Sequence, residues 1–318
     1  LLDSDKKQIN IYEPTEFTNL LHEALVLYSN GRYEESMEPL TQVLSMNTLF
    51  DYANKAMGRA YLQIEDYDNA LKYAKLSKDL DGYSDAFWEV RNLWLKNNLV
   101  TAFLIILAIV IVIKVIKLLQ KKKGTFNLVV EAWGKVKDRK LIGQLRYSTY
   151  FMKHPMDGSY GVRREGKSSW VASGIILAVF ILISIIYKYY CGFLFKTVRE
   201  GEYDLVMDIG IVLLAFFALT ICNYLVTIKD GEGSFKNLVS AYAYSLTPYI
   251  ILMPFIIIVS NLITYNEYFI IQFATLCIYA WVLILLFLAI KEVNNYSVKE
   301  TVVVILLTAF TLLIAALI

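Results

Sequence analysis

From residue 99 to its end the chain is a series of long apolar runs separated by short polar connections. The runs cover 99–119, 170–187, 205–228, 238–262, 268–290 and 301–318. Each is about 18–25 residues, the length that carries an α-helix through the hydrocarbon of a bilayer. Backbone polar groups in lipid must be paired within their own segment, so six transmembrane helices are predicted. Before residue 99 the pattern changes. Apolar residues recur there at helical spacing among polar ones, and 17–84 repeats itself with a period of 34 residues. Ala24 matches Gly58, Leu27 Tyr61, Tyr33 Tyr67, Ser36 Ala70, Met37 Leu71, Leu40 Ala74 and Met46 Leu80. Turns are expected at Asn30-Gly31 and Glu65-Asp66. A third unit is expected to open near Ser84 as an N-cap and to run through Trp88 and Trp94 into the first span.

Composition sharpens this division. The whole chain is 57% hydrophobic with a mean hydropathy of +0.48, too apolar for a water-soluble domain of 318 residues. Its formal charge of +2 is a cancellation: residues 1–98 hold 16 Asp/Glu against 10 Lys/Arg, and the basic excess lies among the spans. The 120–168 connection carries 12 Lys/Arg and 4 Asp/Glu, and Lys229, Lys236, Lys291 and Lys299 mark two further connections. The 188–204 connection is balanced and 263–267 has no basic residue. Basic connections stay cytoplasmic, so threading the spans in order puts 120–169 inside and both termini outside.

Little in the chain suggests chemistry. Cys191, Cys222 and Cys277 lie in or beside spans, and no cysteine precedes residue 99, so neither a disulfide framework nor a thiolate metal site is expected. His22 and His154 are far apart in the sequence, which disfavours a histidine-based metal site or triad. Neither a cofactor nor a nucleic-acid partner is expected. Mid-span polar residues include Asn223, Thr247 and Thr275, with Asn261 and Gln272 nearer the outer face; the charged Asp208 sits only a few residues inside the outer end of the third span. Uncharged groups of this kind more often join helices than line a permeation path. Pro248 and Pro254 should kink the fourth span. The 126–146 stretch has an amphipathic pattern, fitting a helix on the inner leaflet or one packed on the bundle; both readings stay open.

The 34-residue period, with small residues where helices would cross, resembles the tetratricopeptide repeat. The opening LLDSDKKQINIYEP reads as a strand and resembles the closing strand of an NHL β-propeller blade, so further sequence is expected upstream. The segment HPMDGSYGVRREGKSS precedes the second span. Its His154, Pro155, Asp157, Gly158, Arg163, Arg164, Glu165 and Gly166 resemble the HPxDG segment and following charged stretch of bacterial Yip1 family proteins. Gly231, Gly233 and Ser234 are similar to that family's glycine-rich cytoplasmic turn, and Tyr244 with Pro248 to its YSLTP element. Ser159 departs from the aromatic residue expected there. The resemblance covers about residues 145–318.

Read for their physical chemistry, His154–Gly158 suit a tight turn, because Pro fixes φ and Gly tolerates a positive one. A catalytic His–Asp pair would need a nucleophile, and none is evident. Gly231-x-Gly233-Ser234 lacks the Lys and further glycines of a phosphate loop and reads as an interhelical turn. Arg163 and Arg164 suit anionic headgroups. The expected architecture is an all-α polytopic membrane bundle: a terminal strand or linker at 1–16, helical repeats at 17–98, a span at 99–119, a cytoplasmic connection at 120–169 and five Yip1-like spans at 170–318. The resemblance implies a non-enzymatic scaffold whose partners are the lipid bilayer and other membrane subunits. It suggests the permease of a carbohydrate ABC importer as one such subunit. The competing reading is a channel or transporter, its path lined by Tyr242, Tyr244 and Thr247.

Overall fold

Side-chain caps open about half of the described α-helices. In the computed structural model, which describes residues 15–123, 139–196, 198 and 202–317, Thr15, Asp66, Ser169, Asp204 and Ser234 each cap a helix. Each side-chain oxygen accepts from a backbone N–H two or three residues into the helix, satisfying donors that have no partner within it. Ser297 and Glu300 form a reciprocal box: Ser297 N donates to Glu300 Oε2 at 2.7 Å, and Glu300 N to Ser297 Oγ at 3.3 Å. The described residues contain no strand. The expected strand at 1–13 and the first part of the amphipathic stretch, 126–138, lie outside the described residues.

The chain divides into two units. The first holds the described residues up to Val110, together with Ile263–Glu267. It begins with two helical hairpins, α1 (Glu16–Ser29) with α2 (Tyr33–Met46) and α3 (Asp51–Gln63) with α4 (Tyr67–Leu76). The hairpin turns repeat as well: Gly31 and Glu65 both take left-handed φ, 76° and 65°. Ala24, Leu40, Val43, Ala53 and Met57 form the core. A Cβ on Gly58 would lie 3.0 Å from the backbone N of Ala74, so this close crossing needs the small residue that the period places there.

The third unit starts earlier than expected. Lys78 turns left-handed at φ 54°, and α5 (Leu80–Lys123) begins four residues before Ser84. Ser84 is therefore not the N-cap; its Oγ accepts from Tyr265 N at 3.0 Å. Arg91, which also stacks over Trp88, grips Glu267 with two hydrogen bonds of 2.7 and 3.0 Å. As expected, α5 continues unbroken into the first apolar run.

Asp79, with a side chain only 4% exposed, faces Arg59 at 2.8 Å and Lys55 at 3.3 Å. Burial acts to raise its carboxyl, but the Arg59 and Lys55 contacts outweigh it and hold the group below the ordinary carboxylate value. A depressed folded value means that this stability is complete above the unfolded value and disappears as pH falls through the folded one. Acid titration of the full chain in detergent, followed by helix content, should therefore show a low-pH loss in the repeat region. Asp79→Asn should flatten it; an unchanged profile would remove Asp79 from the account.

The second unit holds Ile111–Leu262 and Tyr268–Ile318. Its elements are α6 (Lys140–Lys153), α7 (Pro155–Arg164), α8 (Trp170–Tyr190), α9 (Leu205–Thr227), α10 (Phe235–Ser245), α11 (Thr247–Ser260), α12 (Tyr268–Asn294) and α13 (Val298–Leu317). Among the described residues six helical stretches are long and apolar enough to cross a membrane, so the protein is a multi-pass membrane protein. The predicted kink is a break: α10 ends at Ser245 and α11 begins at Thr247. Pro248, at the start of α11, has no N–H to offer the Tyr244 carbonyl, and Thr247 Oγ1 donates to it instead at 2.6 Å. Pro254 is absorbed inside α11.

The capped end of the helical bundle as a candidate functional site

The motif residues gather at one end of the second unit. α6 and α7 form a helical hairpin pivoting on His154, whose N–H donates to Tyr150 O at 2.8 Å and whose carbonyl accepts from Gly158 N at 2.7 Å. The expected turn over His154–Gly158 is instead the start of α7. Pro155 occupies the first helical turn, where its missing N–H costs nothing, and Asp157 there complements the helix dipole. The His154 ring packs on Tyr150, with centroids 4.9 Å apart.

Gly158 is dictated by packing. A Cβ there would come within 2.8 Å of the Phe151 Cα on α6. Phe151 is fully buried against Val162, Ile176, Leu238, Tyr244 and Val293, a cluster joining α6, α7, α8, α10 and α12. Tyr147 Oη approaches the Asp157 and Gly158 carbonyls at 3.4 and 3.3 Å. Burial pushes the Tyr147 phenol up to about 12, with Glu165 adding to the effect, so the group stays a donor at neutral pH.

A buried polar chain ties this hairpin to the spans. Tyr244 Oη donates to Gln144 O at 3.1 Å. Ser169 Oγ donates to Gln144 Oε1 at 2.6 Å, and the same Oγ accepts from Ala172 N at 3.2 Å as the cap of α8. Farther along, the Ser173 and Ser240 hydroxyls meet at 2.9 Å. Tyr244 was expected from its motif. Gln144, Ser169, Ser173 and Ser240 were not, since isolated polar residues give no sequence signal of partners up to 100 positions away.

The glycine turn works by close approach, as its sequence suggests. Gly231 N donates to Thr227 O at 2.8 Å, and a Cβ on Gly231 would lie 2.5 Å from Asn294 Oδ1. At Gly233 it would lie 2.6 Å from Val293 Cγ1. The turn thus fits against the end of α12. Between its glycines stands Glu232, which sequence reasoning passed over. Glu232 meets Arg163 at 3.3 Å, Arg164 at 2.7 Å and Asn295 Nδ2 at 2.9 Å. The two arginines read as headgroup contacts therefore close on an acidic residue of the same unit, joining two motif segments that are separate in sequence. Arg163 is 10% exposed whereas Glu232 is 41% exposed, so water screens part of the attraction. Glu232→Gln should cost about 1 kcal/mol and loosen α7, detectable as faster amide exchange in 155–164.

Outside this core the hairpin bounds an open cleft of about 600 Å³, lined by Gly143, Arg146, Tyr147, Tyr150, Asp157, Tyr160, Glu165 and Lys167. Of the motif residues, Asp157 and Glu165 face this cleft. His154 packs beside it, Gly158 and Tyr244 serve the core, and Pro248 lies in the broken span. Gly166 takes φ 61° in the link to α8. The three cysteines are free, and the described residues hold no cluster of His, Cys, Asp and Glu suited to a metal ion.

No curated protein and no solved structure matches the chain. A family model for the Yip1 domain matches residues 149–318, which takes in α7, the glycine turn and α8 to α13. That match covers more than half of the chain, and the protein belongs to the Yip1 domain family.

Proposed function

We propose that the protein is a non-enzymatic membrane scaffold, an accessory subunit that holds an outer helical-repeat module beside a partner complex. The observation that carries this reading is the closure of Arg163 and Arg164 on Glu232. With the Phe151–Gly158 contact, it spends the motif residues on building a firm platform, and it leaves the adjoining cleft of about 600 Å³ open. Aromatic rings with basic and acidic groups interspersed suit a polypeptide segment of mixed charge. The two hairpins of the first unit support a tetratricopeptide-like module, a fold that serves as a binding surface or a stalk. In this reading the permease of a carbohydrate ABC importer is the partner. Residues 120–169 face the cytoplasm, and the repeats and the C-terminus lie outside.

Purification of the full chain from its native membrane tests the proposal. A permease and an ATPase should elute with it in fixed proportion, and Arg146→Glu with Lys167→Glu in the cleft should release them. A homo-oligomer that moves solute by itself in liposomes overturns it. A protease applied to intact cells should cut the repeat region; protection until the membrane is opened would reverse the orientation.

A further inference from the structure

α9, α10, α12 and α13 enclose a second cavity, of about 200 Å³, within the membrane-spanning part of the bundle. Its lining is almost wholly apolar, with Leu219, Leu283 and Leu312 along it, yet Asn223, Tyr242 and Thr308 also border it. Tyr242 is 1% exposed and Asn223 is fully buried. Tyr242 Oη and Asn223 Oδ1 find no hydrogen-bond partner among the described residues. The orientation of the Asn223 amide follows from its neighbour. Thr308 Oγ1 gives its proton to Val304 O at 2.7 Å and is left an acceptor, so Asn223 Nδ2 donates to it at 3.0 Å. The Asn223 carbonyl then remains unmet. Burying such a group without a partner is unfavourable, because it gives up its hydrogen bonds to water and gains none.

The open groups define what fits. A phenol can donate, an amide carbonyl can only accept, and a hydroxyl answers both. No ionisable side chain lines the cavity other than the Tyr242 phenol, which excludes a charged headgroup. Leu283, 65% exposed, and the exposed Ala309 leave the side of the cavity open to the hydrocarbon.

We propose that this cavity is a lipid site selective for a neutral glycerolipid with a free hydroxyl, such as a monoacylglycerol. The glycerol hydroxyls meet Tyr242 and Asn223, and the upper part of the acyl chain runs along Leu219, Leu283 and Leu312.

The test uses the full chain in phosphatidylcholine nanodiscs with two photoreactive probes, a monoacylglycerol and the same chain ending in a methyl group. The glycerol-headed probe should label the lining residues roughly tenfold more, about the scale of one hydrogen bond. Tyr242→Phe, which keeps the ring, should cut that preference severalfold and leave labelling by the methyl-ended probe unchanged. Ala309→Phe, which fills the cavity, should suppress both. Equal labelling by the two probes, or an undiminished preference in Tyr242→Phe, overturns the proposal; in that outcome water alone satisfies the two groups.

Discussion

Gly158→Ala is expected to detach α7 from α6. The added Cβ would lie 2.8 Å from the Cα of Phe151, and 3.0 Å and 3.2 Å from its Cδ2 and Cβ. A rotamer change cannot relieve contact with a Cα, so a helix must shift. Overpacking in a well-filled core costs about 1–3 kcal/mol even where side chains can yield, and the upper end applies to a backbone clash. A shift of α7 also draws Arg163 and Arg164 away from Glu232. The variant should insert with all spans intact, but its 140–169 segment should become open to limited proteolysis and lose any partner seated in the cleft. Native-like protection of that segment would show that α6 and α7 are not held by this contact.

Phe151→Ala should cost more. The ring is fully buried and meets Tyr244 edge-on with centroids 6.0 Å apart. Removal of a buried Phe side chain costs about 3–5 kcal/mol, according to how far the cavity collapses. Because Phe151 touches the core shared by α6, α7, α8, α10 and α12, the loss should appear as a lower unfolding temperature of the whole bundle in detergent. Phe151→Leu should recover much of it. If both variants melt like the parent, the cluster is not what unites the hairpin with the spans.

The spans were legible because twenty consecutive apolar residues have few meanings, and the repeat because its small residues recur where helices cross. The motif region was legible as a location and not as a mechanism. HPMDG was read as a turn from the shape preferences of Pro and Gly, yet the same Pro is a favourable helix opener. What decides between these is Phe151, seven residues away, which only tertiary packing brings against Gly158. Glu232 was missed for a related reason. A lone acid between glycines looks solvated until the fold carries two arginines 68 and 69 positions distant to its side. Asn223 stood out only as a polar residue in an apolar run, and Tyr242 only as a lining residue of the channel reading; that both lack partners is a property of the packed bundle.

The first span shows the opposite condition. Along α5, residues 99–119 keep almost every side chain exposed, and none is buried. Natural selection can then hold this stretch to a length and an oiliness but not to a spelling. Drift among leucine, isoleucine and valine should run faster there than in α10, where nearly every side chain has a neighbour to satisfy.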